Sequence, residues 1–241
     1  MKPYIDIHSH ILPGVDDGAK NFEMSLRMLR QAEQDHISNV ILTPHYKPMR
    51  HNLPPETMME VYNELERKKE EAGIQIGLHL GNEIYYSSEI ISALESGRAF
   101  TMADSSYVLA EFSPKEDYGY IRDAAYSLLA EGYAPILAHI ERYGCLMEKK
   151  VRVEELYDMG CYLQVNASSI IGENGMESKR NVKWLLKREY VHFAASDCHD
   201  DKRRMPELSQ AAAYVSRKFG ETYCDRIFRD NAESLLRGNY I

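Results

Sequence analysis

Seven short apolar runs along this 241-residue chain each end in a residue that can bind a metal ion. The runs begin near Tyr4, Asn39, Ile74, Tyr107, Ala134, Cys161 and Tyr190. Most starts are about thirty residues apart, a spacing typical of repeated strand and helix units in a parallel sheet. Parallel strands wrapped into a barrel bring their carboxyl ends to one mouth, where ligands distant in sequence can meet.

The sequence therefore predicts an α/β fold, a distorted (β/α)7 TIM-like barrel that forms a single domain over residues 1–241, with an open doubly wound sheet as the alternative. Apolar residues recur with helical spacing between the strand candidates. These stripes contain Phe22, Leu26, Leu29 and Ala32, then Met58, Tyr62 and Leu65, then Ile121, Ala124, Ala125, Leu128 and Leu129, with further helices at 181–187, 206–219 and 231–236. Gly73, Gly132 and Gly160 are expected to end helices in left-handed backbone.

The formal net charge of −8 argues against broad nucleic-acid binding, because clustered Lys and Arg hold phosphate backbones. A phosphorylated substrate is compatible with that charge, since bound divalent ions make a site locally positive. The N-terminus opens into a strand pattern, and no apolar run reaches the roughly 20 residues of a membrane helix. The four cysteines lack a CxxC spacing. These features predict a cytoplasmic protein with reduced thiols and no direct membrane insertion.

The first local metal-binding motif is His8-Ser9-His10, at the end of the first strand candidate. Residues two apart in a strand face the same side, so both imidazoles can bind one ion. Spacing alone leaves open whether Asp16 or Asp17 binds metal or only makes a turn. The other strand ends supply His45, Glu83, Glu111, His139, Asp197 and His199, whereas the isolated His36, His51, His79 and His192 are predicted to be structural.

Mixed histidine and carboxylate ligands suit Mn, Zn, Fe or Mg better than a closed structural zinc site. Nine candidate ligands are too many for one ion, so two or three divalent ions are expected. Such a cluster favours hydrolysis at phosphorus, because it lowers the pKa of bound water and stabilises the attacking and leaving oxygens. Arg142 and Arg204 lie on loops after the fifth and seventh strand candidates. Either can grip phosphate oxygens, with a surface ion pair as the alternative.

The ordered set of strand-end ligands resembles the PHP family, named for polymerase and histidinol phosphatase domains. The segment from Tyr4 to Gly18 is similar to the opening of bacterial protein tyrosine phosphatases of the CpsB and YwqE type. This resemblance spans essentially the whole chain. It implies a trinuclear, usually manganese-dependent site that dephosphorylates bacterial tyrosine autokinases controlling capsule or exopolysaccharide synthesis. It also implies the ligands His8, His10, Asp17, His45, Glu83, Glu111, His139, Asp197 and His199, with Arg142 and Arg204 contacting phosphate.

Several alternatives stay open. Another phosphoesterase of the same family, a histidinol phosphate phosphatase or a nuclease-like enzyme, would share the metal site and differ in substrate. An amidohydrolase-type enzyme fits the two strand-end glutamates less well, and a noncatalytic metal-binding or kinase-docking module would release no phosphate. Cys198 and Arg204 match the Cys-x5-Arg spacing of thiol-dependent tyrosine phosphatases, but the intervening acids disfavour a thiolate. No residue pattern predicts the oligomeric state.

Overall fold

The computed structural model describes residues 2–48 and 52–241, so His51 lies outside the described residues. Parallel strands dominate the described chain. They are β1 (Tyr4–Ser9), β2 (Ile37–Leu42), β3 (His45–Tyr46), β4 (Gly77–Leu80), β5 (Glu83–Tyr85), β6 (Tyr107–Glu111), β7 (Ala134–Leu137), β8 (Tyr162–Asn166) and β9 (Phe193–Ala195). One sheet has the order β1-β2-β4, and the other has the order β3-β5-β6-β7-β8-β9.

Together the two sheets curl into a distorted barrel with seven strand positions. β3 follows β2 after Thr43 and Pro44, and β5 likewise continues β4, so each pair occupies one position. β1 meets β9 where the backbone N–H of His10 donates to the carbonyl of Cys198 at 2.9 Å. β4 and β6 do not pair in the described chain, and the turn Met102–Asp104 contacts both. The predicted barrel is confirmed, and the distortion lies at this gap.

Helices follow the strands and cover the outside of the barrel. They are α1 (Phe22–Gln34), α2 (Pro55–Glu71), α3 (Ile90–Glu95), α4 (Tyr118–Ala130), α5 (Gly144–Glu148), α6 (Val151–Asp158), α7 (Ala167–Ile171), α8 (Met176–Lys187), α9 (Ser209–Phe219), α10 (Glu221–Asp225) and α11 (Asn231–Leu236). The helix predicted over 206–219 begins later than expected, because Asp35 accepts hydrogen bonds from the N–H groups of Leu208 and Ser209. None of the helices in the described chain is long and apolar enough to span a bilayer.

Local sequence accounts for several helix ends. The Asn21 side chain accepts from the N–H of Met24 and caps α1, which satisfies one of the amide groups left unpaired at a helix start. The predicted left-handed glycines are confirmed, with φ of +70° at Gly73, +81° at Gly132 and +100° at Gly160. These turns direct each helix back to the start of the next strand.

Apolar side chains fill the barrel beneath the candidate ligands. This inner cluster includes Ile5, Ile7, Ile41, Leu109, Ile136 and Phe193, all nearly inaccessible to solvent. A second cluster packs the outer face of the strands against the helices. Two packed layers hold the strand ends rigidly, so the side chains that project at the mouth have fixed relative positions.

Candidate metal centre

The nine predicted ligands lie together at the carboxyl ends of the strands. His8, His10, His45, Glu83, Glu111, His139, Asp197 and His199 lie in or just after strands β1, β3, β5, β6, β7 and β9, and Asp17 lies on the loop after β1. Successive strands of a parallel barrel end at the same rim, which explains why residues almost two hundred positions apart in the chain become neighbours. The predicted assembly of these side chains at one mouth is therefore observed.

Glu83 lies at the centre of the cluster and is only 1% exposed. Its Oε1 is 3.3 Å from Nε2 of His8 and 2.9 Å from Nε2 of His139. Its Oε2 is 3.2 Å from Nε2 of His10 and 3.0 Å from Nδ1 of His45. One buried carboxylate thus faces four imidazoles that come from three other strand positions.

Asp197 is a second buried carboxylate that contacts histidines of the cluster. Its Oδ1 lies 3.5 Å from Nε2 of both His8 and His10. Its Oδ2 accepts from the amide of Asn166 at 2.7 Å and lies 2.8 Å from the guanidinium of Arg204. Asp197 therefore faces the two imidazoles with one oxygen and is held in place through the other.

The outer rim of the cluster contains the more exposed candidates. Oδ1 of Asp17 lies 3.5 Å from Nε2 of His45 and 3.6 Å from Nε2 of His199, although the Asp17 side chain is 68% exposed. Glu111 lies 3.6 Å from both His45 and His139. These residues surround the open side of the cluster, where solvent or a substrate can reach it.

The donor set matches the chemistry of a divalent cation. Three sets of side chains each have ligand atoms within 4.8 Å of one another: His10, Asp17, His45 and His199; His8, His10 and Asp197; and His45, Glu83 and Glu111. Nε2 of His8 and Nε2 of His10 lie 3.4 Å apart and point toward the same carboxylates. A shared cation would satisfy these converging lone pairs and the buried negative charges together.

The pKa shifts within the cluster also agree with a site for divalent cations. Burial disfavours a charged His139, but Glu111 and Glu83 outweigh it and raise the His139 pKa to about 10. Burial also disfavours charge on Glu83, yet the neighbouring imidazoles hold its pKa well below the ordinary value. The buried acids are therefore charged and draw positive charge to the site, which protons or metal ions can supply.

Three orienting residues were not among the predicted ligands. Asp16 Oδ2 is 2.7 Å from Nδ1 of His10 and also accepts from the backbone N–H of His45. Gln164 Oε1 lies 3.3 Å from Nδ1 of His8, and its amide donates to Asn166. Such contacts fix the ring orientation of metal-binding histidines. The sequence contained a signal for them, since Asp16 adjoins Asp17 and Gln164 and Asn166 share one strand face.

Two candidate ligands have an uncommon backbone conformation. His139 has φ of +33° and Asp197 has φ of +53°, both in the left-handed region that non-glycine residues rarely adopt. Each lies two residues beyond the end of a strand, His139 after β7 and Asp197 after β9. Strained backbone persists where surrounding contacts demand it. His36, which lies outside the cluster, also has a positive φ of +65°. A left-handed backbone is therefore evidence for a metal-binding role only when the side chain also lies close to other candidate ligands.

The two predicted phosphate-binding arginines differ in their contacts. Arg142 is exposed and forms no ion pair with another described residue, whereas Arg204 donates to the carbonyl of Asp197 at 3.0 Å and pairs with its carboxylate. Both line a cavity of about 520 Å³ that reaches Asp197. Arg142 is thus available to an anion, while Arg204 is partly committed to holding a candidate ligand.

The thiol alternative does not fit the structure. Cys198 is fully buried in the outer core, and burial together with the charge of Asp6 raises its pKa to about 12. A protonated, inaccessible thiol is a poor nucleophile. Three of the histidines predicted to be structural lie in the described chain and away from the three ligand sets, namely His36, His79 and His192.

Comparison with known proteins gives a consistent result. Residues 4–237 match the family model described as capsular polysaccharide synthesis, CpsB/CapC. The chain is 33% identical over 242 residues to the tyrosine-protein phosphatase CpsB of Streptococcus pneumoniae, a match covering 98% of this chain and 100% of the relative. It is 30% identical over 237 residues to the tyrosine-protein phosphatase YwqE of Bacillus subtilis, covering 98% and 93%.

Solved structures agree with the sequence matches. One crystal structure from a study of YwqE of Bacillus subtilis and CpsB of Streptococcus pneumoniae, described as metal-dependent tyrosine phosphatases, superimposes with a TM-score of 0.93 at 30% identity, covering 98% of this chain and 96% of the other. A phosphotriesterase homology protein of Escherichia coli shares only the fold, with a TM-score of 0.62 at 13% identity and coverage of 97% and 98%.

Proposed function

The chain belongs to the CpsB/CapC family, and on that premise we propose that it is a metal-dependent protein tyrosine phosphatase formed by one domain over residues 1–241. The observation that carries the proposal is the convergence of nine histidine and carboxylate side chains with buried Glu83 at their centre, beside an arginine, Arg142, that forms no ion pair within the described chain. That combination suits hydrolysis of a phosphate monoester.

We assign the metal ligands as His8, His10, Asp17, His45, Glu83, Glu111, His139, Asp197 and His199. Two or three divalent ions, with manganese favoured over iron, zinc or magnesium, suit this mixture of imidazole and carboxylate. When bound, such ions supply Lewis acidity and lower the pKa of coordinated water. The protein's part is to hold the donors in place through Asp16, Gln164 and Asn166.

Arg142 and Arg204 are proposed to contact the phosphate. Arg142 forms no ion pair with another described residue, so its guanidinium can bind nonbridging oxygens in bidentate fashion. Arg204 contributes a second positive charge at the same wall of the cavity while it holds Asp197. The leaving group is a phenolate with a pKa of about 10, which departs more readily than an alkoxide.

We further propose that the physiological substrate is a tyrosine-phosphorylated protein, a bacterial tyrosine autokinase that controls capsule or exopolysaccharide synthesis. The family description and the names of the relatives support this choice. The cytoplasmic location expected from the sequence is part of the same proposal. The net charge of −8 gives no support for a nucleic-acid substrate.

Phosphate release by chelator-stripped protein, followed as manganese is added back at constant pH, tests the proposal. A tyrosine-phosphorylated peptide, histidinol phosphate and an oligonucleotide serve as parallel substrates. We expect activity on the peptide that disappears on stripping and returns with manganese, at a stoichiometry of two or three ions measured by elemental analysis. Preference for either other substrate would indicate a different phosphoesterase. Metal binding without phosphate release from any of them would favour the docking role.

A further inference from the structure

The cavity beside Asp197 has charged walls of both signs. Arg142, Arg203 and Arg204 line it, and besides Asp197 so do the carboxylates of Glu173 and Glu207. We refer to these two glutamates as the acidic wall. The arginines come from the loops after β7 and β9, whereas Glu173 follows α7 and Glu207 precedes α9. One cavity next to the metal centre therefore presents guanidinium and carboxylate groups together.

Four of the charged side chains that line the cavity have no ion-pair partner among residues 2–48 and 52–241. Arg142, Arg203, Glu173 and Glu207 make no ion pair with another described residue. Burial, with the negative charges of Asp35 and Glu173, raises the pKa of Glu207. No described cation forms an ion pair with either glutamate of the acidic wall, so both carboxylates are available to a cation that a ligand brings. A ligand that suits this cavity should bring an anion to the arginines and a cation to the acidic wall.

A phosphotyrosine peptide with a nearby basic residue has that chemistry. We infer that the cavity binds the segment adjoining the phosphotyrosine and that Glu173 and Glu207 select a lysine or arginine side chain there. The inference rests on the proposed phosphatase function and adds a sequence preference to it. The phosphate is directed to the metal centre and Arg142, and the basic side chain to the acidic wall.

The size of the cavity limits where the basic residue lies in the peptide. A compact volume of about 520 Å³ has a diameter of about 10 Å, the length of about three residues of extended chain. The selected side chain is therefore expected within about three positions of the phosphotyrosine, on one side of it. Glutamate at the same position would be repelled by the acidic wall.

Matched peptide pairs test this inference. Each pair differs only by lysine or glutamate at one position within about three residues of the phosphotyrosine. At one position or more, the manganese-loaded wild-type protein should prefer lysine by about fivefold in kcat/KM, and the preference should weaken as salt is added. The double variant Glu173→Gln with Glu207→Gln should bring that ratio close to one. Its turnover of phenyl phosphate, which has no flanking residues, should not change.

Glu177→Gln provides the matched control, because this exposed carboxylate on α8 does not line the cavity. It should retain the lysine preference. Equal treatment of lysine and glutamate peptides by the wild type, or a ratio unchanged in the double variant, would overturn the inference. Fluorescence anisotropy with the same peptides measures the preference as binding. Binding shows whether the acidic wall selects lysine even if the protein releases no phosphate. Failure of the proposed phosphatase function can therefore be distinguished from failure of the inference.

Discussion

Asp16 Oδ2 lies 2.7 Å from Nδ1 of His10, and the same carboxylate accepts from the backbone N–H groups of Gly18 and His45. An ionised carboxylate only accepts hydrogen bonds, so Nδ1 of His10 carries a proton and Nε2 is the nitrogen that faces the cluster and could bind a cation. One side chain therefore sets the tautomer of one candidate ligand and fixes the backbone of another.

Replacing Asp16 with asparagine should weaken manganese binding by about 10- to 100-fold, because the amide can no longer hold His10 as a charged acceptor. Calorimetric titration of stripped protein with manganese measures the change. Asp201→Asn is the control, since that aspartate pairs with Arg27 and is not in the ligand sets. Unchanged affinity in Asp16→Asn would show that the contact does not position the ligand.

The loop that carries Asp16 and Asp17 passes close to His10 at Gly18. A Cβ at Gly18 would lie 2.1 Å from the carbonyl oxygen and 2.5 Å from Cβ of His10, too close for any rearrangement confined to a side chain. Gly18→Ala should cost about 2 kcal/mol in the free energy of unfolding and weaken metal binding. Urea denaturation and metal titration check both effects. Gly144→Ala, whose Cβ has an ordinary 3.7 Å contact, should behave like wild type.

Removal of the candidate ligand His139 should reduce metal binding and activity, whereas removal of the Cys198 thiol should leave both unchanged. His139→Ala should lower activity by more than about a hundredfold together with metal content, because Nε2 of His139 lies 2.9 Å from Glu83 at the centre of the cluster.

Cys198→Ala should keep its metal content and turnover and lose only about 1 kcal/mol in the free energy of unfolding. Elemental analysis and phosphate release report both. An inactive Cys198→Ala protein with normal metal content would restore the thiol mechanism.

Arg142→Ala should lower kcat/KM for a phosphotyrosine peptide by about 10- to 100-fold, the amount expected for loss of a charge-assisted hydrogen bond. Metal content should be unaffected, since Arg142 contacts no candidate ligand in the described chain. Arg204→Ala should reduce both, because Arg204 pairs with Asp197 at 2.8 Å. Arg180→Ala, on the exposed face of α8, is the control. Equal effects of the Arg142 and Arg204 variants on metal content would contradict this division of roles.

His192 should make stability depend on pH. Burial, with the positive charge of Arg226, lowers its pKa to about 4, and Nδ1 accepts from the N–H of Leu163. His192 binds a proton at about pH 6.5 in the unfolded chain but not in the folded chain. Its contribution to the free energy of unfolding is therefore full above that pH and is lost as the pH falls toward 4. The loss is at most about 3 kcal/mol.

Urea unfolding of wild type and His192→Gln between pH 7 and pH 4.5 isolates this contribution, because the metal ligands titrate alike in both proteins. The glutamine oxygen can still accept from Leu163 but cannot be protonated in this range. The difference in unfolding free energy between the two proteins should shrink as the pH falls. Parallel curves would mean that His192 has an ordinary pKa in the folded protein.

The sequence predicted the strand positions because their apolar runs and ligand-bearing ends recur at regular spacing. It did not predict that two positions are each split into two strands. The split depends on pairing partners distant in sequence, since β2 pairs with β1 and β4 whereas β3 pairs with β5. The start of α9 was likewise misplaced, since the cap comes from Asp35, more than 170 residues away in sequence. Local periodicity carries no information about such distant partners.

Residue type and strand-end position indicated eight of the candidate ligands, because a barrel topology requires those ends to meet. Asp17 lies on the loop after β1, and only the family resemblance favoured it as a ligand over a role in a turn. Tertiary structure alone decided their arrangement. It placed Glu83 among four imidazoles, assigned Asp16 to orient His10 while Asp17 faces the mouth, and tied Arg204 to Asp197. The reason is physical: the direction of each side chain depends on backbone angles and packing that become fixed only when all strands close around a common core.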